Sequence, residues 1–494
     1  KLFLIWMDAA DADVGARLFE YTLSTPYDLT TLSLVTTAGI ELSVSTTNGV
    51  ENPASMRFSS NGKRIFVISH DSTDAGITQI SLDTVYDTSS YKIDGRVNLF
   101  SAVSPNNKEP RGVAFNSSGL KLYIGSDFNW DSETEANDGD NPDQVLEFDL
   151  VCPFNIFVGK CPSITENSVR TGMAEAQIEL ARRTIESATN STLNRLKWIR
   201  RNEDKQNLTN LNIDLNFSNK ILNSLTKAVR ASTAKKNIKE KEQDVFYWSE
   251  GSIAVGRMGN TSISSSKEIE TNSLTFGADK FTDNNGIVGL AFRYGRDNTD
   301  VGNFGSNLDG DTYNLTFYNT RPSKVDTKYI DTIFGIGKIK TDILTVMDGK
   351  HLTANRGGKQ MYGTLNIKDE IKKNKLTIIP SSQIDFGHTI LNAYDEVGTG
   401  AISVKKQHVK SRNLRATVAA VHELENVRYS IKRHGKLEYQ ANLKRSSEFK
   451  YTYVDERSKS FSEKLAPGSF HNINGEIGID IVFPENYSIF IIYE

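Results

Sequence analysis

The chain has 494 residues, of which 24% are charged and 38% are hydrophobic, and its formal net charge is -3. It contains no run of 18 or more apolar residues. That excludes a transmembrane helix but not a transmembrane β-barrel, whose strands alternate between polar and apolar residues. It also has no dense basic stripe, so we expect no nucleic-acid partner.

The front part of the chain, residues 1–162, is acidic, with 11 Lys and Arg residues against 22 Asp and Glu residues. It is also rich in Asn, Ser and Thr, and this composition suits a solvated extracellular module. The chain begins at Lys1 without a Met or a signal segment. Because an exported protein carries such a signal, we interpret the N-terminus as truncated.

An internal repeat runs through residues 1–160. Residues 21–34 (YTLSTPYDLTTLSL) echo residues 80–93, and residues 57–69 (RFSSNGKRIFVIS) echo residues 114–126. A third, partial copy begins with LEFDL at 146–150. Short alternating strands joined by Ser-Asn-Gly or Ser-Ser-Gly turns favour the blades of a β-propeller. The segment resembles the β-propeller repeats of bacterial surface proteins, and we expect earlier blades to be missing.

The chain has two cysteines, Cys152 and Cys161, which close a short loop. Two isolated cysteines this close together favour a disulfide in an oxidising compartment. A pair of free thiols is the alternative. A metal site would need further ligands, and no His lies near in the sequence, so we expect neither a metal nor another cofactor.

Residues 127–143 (DFNWDSETEANDGDNPD) are crowded with oxygen ligands that calcium prefers. Their spacing does not fit an EF-hand loop, because the terminal Glu is missing. We therefore interpret this segment as a solvated loop between strands, with a calcium site as the alternative.

Residues 163–243 change character. Ser163 and Glu166 make a capping-box pattern, and apolar residues recur at helical spacing over 169–188. Further helical stretches are predicted at 193–201 and 217–229. We expect one helix of this region to thread the lumen of a barrel, and the alternative is a solvated linker.

From Asp244 to Glu494 the sequence predicts strand after strand. Apolar and polar residues alternate, so that Leu290 and Phe292 lie on one face and Ala291 and Arg293 on the other. Many predicted strands are long enough to cross a bilayer at a tilt, and the Gly-rich polar face suits a narrow lumen. We predict about eleven strands, near 245–257, 270–280, 286–296, 311–320, 328–340, 359–368, 374–388, 400–421, 435–446, 470–483 and 485–494.

Three segments resemble the opening strands of the autotransporter, or type V secretion, β-domain. They are YWSEGSIAVGRMG (247–259), EIETNSLTFGADK (268–280) and GIVGLAFRYGRD (286–297). The resemblance continues in the family's order through KLEYQANL (436–443). It implies a twelve-stranded outer-membrane barrel with a helix in its pore, which would be the helix at 217–229. It also implies export of the upstream passenger to the cell surface of a Gram-negative bacterium.

The same resemblance implies two partners, the lipid of the outer membrane and the barrel-assembly machinery. That machinery reads an aromatic residue at the end of the family's last strand, whereas this chain stops at Tyr493 and Glu494. We therefore expect one further strand in the complete protein. Some relatives cleave themselves at an asparagine in the pore helix, so the Asn-rich residues 207–219 leave self-cleavage as an alternative to a retained passenger.

The predicted fold is mainly β, with a partial β-propeller passenger at 1–162, a helical linker and pore helix at 163–243, and a translocator barrel at 244–494. No HExxH, GxSxG or P-loop motif occurs, so we expect no catalytic residue and no enzyme activity. The passenger is expected to serve adhesion or to bind an unknown extracellular ligand. The alternatives are a surface enzyme whose catalytic residues lie in missing blades, and a porin-like channel.

Overall fold

The computed structural model describes residues 1–6, 16–35, 40–42, 53–60, 62–69, 75–99, 109–127, 144–157, 167–202, 245–282, 286–323, 327–347, 349–425, 430–482 and 488–493. Within these residues the chain is predominantly β and has a single α-helix, so the mainly β fold predicted from the sequence is confirmed. No helix in the described part of the chain is long and apolar enough to span a membrane.

The described part of residues 1–157 forms three antiparallel sheets. The first contains β1 (Leu2–Trp6), β2 (Arg17–Leu23), β3 (Leu32–Leu34) and β4 (Ile40–Glu41). The second contains β5 (Pro53–Phe58), β6 (Arg64–Ser69), β7 (Gly76–Leu82) and β8 (Tyr91–Asn98), paired in that order. The third contains β9 (Glu109–Phe115), β10 (Lys121–Asp127) and β11 (Gln144–Asp149). Two 3-10 turns lie at Leu29–Thr31 and Thr88–Ser90.

These three sheets stack face to face, as the strand β6 shows. Alternate residues of a strand point to opposite faces of its sheet. Val67 therefore packs in one apolar cluster with Leu18 of the first sheet. Phe66 packs on Phe115 of the third sheet, with ring centroids 4.5 Å apart. The second sheet is thus apolar on both faces, as a sheet in the middle of a stack must be.

A 35-residue helix, α1 (Ser168–Asn202), follows the third sheet. Asn167 caps its first turn, because its side chain accepts a hydrogen bond from the Arg170 N–H at 3.0 Å. The predicted helical stretches 169–188 and 193–201 are parts of this one helix. The predicted capping-box residues Ser163 and Glu166, and the helix predicted at 217–229, lie outside the described residues.

The remaining strands are, in chain order, β12 (Phe246–Met258), β13 (Lys267–Phe281), β14 (Ile287–Val301), β15 (Ser306–Pro322), β16 (Lys328–Met347), β17 (Lys350–Asp369), β18 (Ile371–Lys373), β19 (Leu376–Leu391), β20 (Tyr394–Asp395), β21 (Ile402–Val404), β22 (Gln407–Glu425), β23 (Ser430–Asn442), β24 (Ser447–Tyr453), β25 (Ser460–Leu465), β26 (His471–Val482) and β27 (Ser488–Tyr493). Eleven of them, from β12 to β27, pair in succession in one antiparallel sheet that curls around α1, and β18 adds to β19. The predicted count of eleven strands is confirmed.

Side chains of this large sheet alternate between the lumen and the outer surface, with the parity predicted for β14. Leu290 is 49% exposed, whereas Ala291 and Arg293 are 1% and 2% exposed. Ala291 packs in a buried cluster with Trp198 of α1. The residues predicted for the lumen therefore face the helix, and Leu290 lies on the outside.

A second, smaller sheet pairs β20, β21, β24 and β25, and the sequence analysis did not predict it. The strand predicted over 400–421 was wrong at its start, because Ile402–Val404 belongs to the small sheet and β22 begins only at Gln407. Ile402 pairs with Tyr453, which is distant in sequence. Such long-range pairing of short strands leaves no periodic signal that could separate them from a crossing strand.

Connection lengths distinguish the two ends of the barrel. At one end the strands are joined by short segments, such as 282–286, 323–327 and 426–429. At the other end, two connections are much longer, 392–406 and 443–470, and they contain the small sheet. Outer-membrane barrels have short periplasmic turns and longer extracellular loops. We therefore call the end with the small sheet the outer end and the opposite end the inner end.

Candidate translocation pore and passenger seat

Helix α1 is polar and nevertheless buried. Glu175, Gln177 and Arg195 are 7%, 3% and 3% exposed. Because burying an unpaired polar or charged group is unfavourable, a helix of this composition is stable only where its surroundings supply partners. The polar, lumen-facing side of the large sheet supplies them.

At the outer end, α1 is held by ion pairs near its N-terminus. Lys267 of β13 lies 2.9 Å from Glu175 and 3.0 Å from Glu179. Arg170 pairs with Glu396 at 3.2 Å and donates a hydrogen bond to the Gly400 carbonyl at 2.9 Å. Both Glu396 and Gly400 belong to a long outer connection, so the helix enters the barrel from its outer end.

Midway along the lumen, Arg415 of β22 joins the helix to two strands. Its guanidinium lies 2.7 Å from Glu186 of α1, 2.7 Å from Asp385 of β19 and 2.9 Å from Glu438 of β23. Because three carboxylates surround a single guanidinium, the geometry of each side chain is fixed by the other three.

At the inner end, Arg195 and Asp279 form a two-point ion pair, with N–O distances of 2.7 and 3.0 Å. The Tyr318 hydroxyl donates to Asp279 at 3.0 Å, and the Trp248 indole donates to that hydroxyl at 2.8 Å. Arg200 pairs with Asp331 at 3.0 Å. Since β16 begins just before Asp331, the helix ends near the short inner turns.

Two glycines of the wall allow the helix to approach closely. A Cβ at Gly310 would lie 2.9 Å from the Leu180 side chain, and a Cβ at Gly387 would lie 2.7 Å from Ile185. Both distances are shorter than carbon atoms tolerate. This close approach explains part of the glycine content on the lumen-facing side of the sheet, because larger side chains at these positions would displace α1.

A cavity of about 570 Å³ remains at the inner end of the lumen. Its wall carries both signs of charge, with Lys197, Arg200 and Lys432 on one hand and Asp331 and Glu476 on the other. Ion pairs connect several of them, including Lys197 with Glu476 at 3.3 Å. A polar chamber of this kind suits the passage of a hydrated polypeptide.

The small outer sheet contacts the third N-terminal sheet, which belongs to the predicted passenger, and we call β20, β21, β24 and β25 the passenger seat. Asp455, which follows β24, accepts hydrogen bonds from the Ser117 hydroxyl at 2.6 Å and the Ser118 N–H at 3.1 Å. Lys459 donates a hydrogen bond to the Leu150 carbonyl. The third N-terminal sheet is therefore bound to the outer end of the barrel through side chains as well as through the chain itself.

Each passenger sheet carries the same local motif, which the T-x-Y-D repeat encodes. Tyr27 and Tyr86 have positive φ angles of 65° and 53°. The following residues, Asp28 and Asp87, accept hydrogen bonds from Thr30 and Ser89. Those hydrogen bonds, first from the side chain and then from the backbone, lower the pKa of each carboxyl. In the second sheet a Cβ at Gly62 would lie 2.6 Å from the Tyr86 ring, so this glycine makes room for the aromatic residue, whereas Tyr27 of the first sheet is exposed.

The third copy of this motif reads Cys-Pro-Phe-Asn, at residues 152–155. Phe154 has a φ of 48°, and the Asn155 side chain accepts from the Phe157 N–H at 3.1 Å. Cys152 thus takes the place of Thr25 and Thr84. Sequence reasoning found only the strand LEFDL of this copy, because Phe and Asn replace the Tyr and Asp that define the pattern.

The structure describes only one of the two cysteines of the predicted disulfide, Cys152. Cys152 is buried, whereas Cys161 lies outside the described residues, so the bridge remains a prediction. The acidic segment 128–143 and the Asn-rich segment 207–219 also lie outside the described residues.

A curled antiparallel sheet with an apolar outer face, a polar lumen and a helix through that lumen defines a transmembrane β-barrel of the translocator class. The family profile for the autotransporter beta-domain matches residues 247–494, which is half of the chain. The chain therefore belongs to the autotransporter β-domain family, whose barrels lie in the outer membrane and export a passenger to the surface.

Two solved structures are similar to this chain. The translocator domain of the autotransporter NalP from Neisseria meningitidis is 13% identical, with a TM-score of 0.40, covering 55% of this chain and 88% of that one. The beta domain of the Bordetella autotransporter BrkA is 11% identical, with a TM-score of 0.36, covering 51% of this chain and 91% of that one. No curated protein matches the chain.

Proposed function

We propose that the barrel exports and anchors an N-terminal β-propeller passenger, which remains at the cell surface and binds an extracellular ligand or mediates adhesion. The contact that carries this proposal is the one between Asp455 and the Ser117–Ser118 pair. It joins the third passenger sheet to the outer end of the barrel. A passenger that is only exported and then released would not need a specific contact with the barrel.

The β-propeller interpretation is supported by how the three sheets repeat. Successive sheets are antiparallel, stack face to face through apolar clusters and each contain the same aromatic turn motif. Blades of a propeller are four-stranded sheets with these relations, and the second sheet has four strands in sequential order.

A binding role is proposed rather than a catalytic one, because the residues that recur in the repeats make structural contacts. Tyr86 covers Gly62 and Phe154 covers Gly119, and in all three copies the Asp or Asn closes a turn. Propellers commonly present loops at one end of the blade stack for ligand binding.

The barrel-assembly machinery is proposed as the partner in insertion. Unpaired backbone N–H and C=O groups are strongly unfavourable in hydrocarbon, so the strands of a barrel cannot enter the membrane one by one. Depletion of the central subunit of that machinery should abolish surface exposure of the passenger. Undiminished exposure would reject this partner.

The anchoring contact can be tested with Asp455→Asn, using Glu456→Gln as the matched neighbouring control. Among the described residues, the hydrogen bonds of the Glu456 carboxylate come from Ser458, within its own turn. In intact cells, D455N should raise the rate at which external protease releases the passenger, and E456Q should leave it unchanged. Equal release rates in both variants would contradict the proposed seat.

The binding role is tested separately with cells that carry the full chain. Such cells should adhere to at least one member of a panel of immobilised glycans and matrix proteins, and shaving with external protease should abolish the adhesion. The binding role would be rejected if these cells adhered to every member of the panel only as well as cells without the protein do, while the passenger is shown to be on their surface.

A further inference from the structure

The outer surface of the barrel carries an unusual group of cations on three strands, β16, β17 and β22, of which the last two flank β19. Lys338 lies on β16, Lys359 on β17, and Lys410 and Arg412 on β22, and all four are exposed. We call these four residues the cationic patch. His388 of β19 lies between its two halves, because it pairs in register with Met361 on one side and Lys410 on the other.

The charges of the patch are close to one another and have no carboxylate partner. Lys338 and Lys359 are direct cross-strand partners, an arrangement that is destabilising for like charges. Among the described residues, none of the four takes part in an ion pair. On β12 and β13, by contrast, the exposed Arg257 has a carboxylate partner, Glu268, at 3.5 Å.

The patch adjoins the apolar outer face of the same strands. On each of the three strands an exposed apolar residue lies two positions from a cation, toward the inner end of the barrel. These residues are Ile336, Met361 and Leu414, which are 52%, 47% and 42% exposed. Phe386 of β19, which is 51% exposed, is the cross-strand partner of Arg412. The cations therefore lie where the apolar surface ends, on the side of the long connections.

This is the level at which lipid headgroups meet the acyl region of the outer leaflet. Lysine and arginine side chains at such a boundary extend toward the headgroups while their stems stay on apolar surface. An anion that bridges Lys338 and Lys359 would relieve their repulsion. A phosphate group suits this role, because Arg and Lys bind it through charge-assisted hydrogen bonds.

We propose that the cationic patch is a binding site for a phosphorylated lipid of the outer leaflet, with its phosphate on Lys338, Lys359, Lys410 and Arg412. Its acyl chains lie along Ile336, Met361, Phe386 and Leu414. The cations adjoin exposed apolar surface, and this combination favours a lipid over a free phosphate ion. A phosphate ion would contact only the charged half of the site.

The test uses the full chain, folded in a neutral detergent and shown to be folded by its heat-modifiable gel mobility. Binding of lipid A that carries two phosphates is measured by native mass spectrometry, beside the same lipid with its phosphates removed and beside inorganic phosphate. The variants are K338Q/K359Q and K410Q/R412Q. The matched control is K372Q/K373Q, which removes two exposed lysines at the inner end.

Each basic residue near a charged lipid surface contributes about fivefold in affinity, so each patch variant should bind roughly 25-fold more weakly. The control variant should bind as the wild type does, and Lys359→Arg should retain binding because it keeps the charge. Loss of binding in K359R as well as in K338Q/K359Q would show a packing defect and overturn the proposal. So would equal binding of the dephosphorylated lipid, or inorganic phosphate that competes as well as the lipid.

Discussion

Arg195 of the helix and Asp279 of the barrel wall form an ion pair with N–O distances of 2.7 and 3.0 Å, and neither residue is more than 3% exposed. Removing one partner of such a pair leaves a buried, unpaired charge. Asp279→Ala should therefore destabilise the seated helix by about 3–5 kcal/mol. We expect a higher single-channel conductance in planar bilayers, because α1 then leaves part of the lumen open.

The control for this prediction is Glu448→Ala, which breaks the exposed pair with Lys450 on the passenger seat. An exposed ion pair contributes little to stability, so E448A should conduct as the wild type does. A D279A barrel with unchanged conductance and unchanged heat-modifiable mobility would show that the ion pair does not hold the helix.

Neighbouring residues on β22 test which face of the sheet meets lipid. Val418 is 56% exposed on the outside, whereas Ala419 lines the cavity at the inner end of the lumen. Val418→Arg should cost about 2–4 kcal/mol if the residue lies near the middle of the bilayer. Ala419→Arg should cost much less, because the cavity is polar and roomy. Urea unfolding of the barrel in lipid vesicles measures both, and the reverse order would contradict the assigned faces.

The eleven strands of the barrel could be predicted from sequence because each crossing strand must alternate between lipid and lumen. The helix could be recognised only in pieces. Its partners are ionic and lie on distant strands, as Glu175 pairs with Lys267, so its sequence carries no continuous apolar stripe. The passenger seat could not be predicted, because it depends on pairings such as Ile402 with Tyr453.

Glu20 should make the contact between the first two passenger sheets sensitive to acid. Its carboxylate accepts hydrogen bonds from the Thr88 N–H at 2.9 Å and the Thr88 hydroxyl at 2.7 Å, and it pairs with Lys1 at 2.5 Å. Burial alone would raise the pKa of Glu20, but the hydrogen bonds from Lys1 and Thr88 outweigh burial and lower it.

A carboxyl whose pKa is lowered by folding adds stability above its unfolded pKa, near 4.3, and loses it as the pH falls through the folded value. External proteolysis of the displayed passenger should therefore accelerate in acid. Glu20→Gln should remove this part of the pH dependence, whereas Glu147→Gln, at an exposed pair with Lys121, should retain it. An E20Q passenger with the wild-type pH profile would rule Glu20 out as the titrating group.

Cys152 and Cys161 are predicted to form a disulfide in the exported protein. A loop of this length gives roughly 2.5–3 kcal/mol of stabilisation in the chain-entropy model. Because Cys152 belongs to the aromatic turn motif of the third sheet, its reduction should loosen that turn first. Thiol labelling of cells that display the chain should be negative until reductant is added, and labelling without reductant would refute the bridge.

The central claim, that the passenger lies outside the cell above a barrel whose short turns face the periplasm, is tested most directly by labelling in intact cells. Single cysteines are placed at Ser24, exposed on the passenger, and at Lys373, exposed on an inner-end hairpin, in a chain whose native cysteines are replaced by serine. A membrane-impermeant maleimide should label Ser24→Cys at once and Lys373→Cys only after the outer membrane is permeabilised. Labelling of Lys373→Cys but not Ser24→Cys in intact cells would contradict the account.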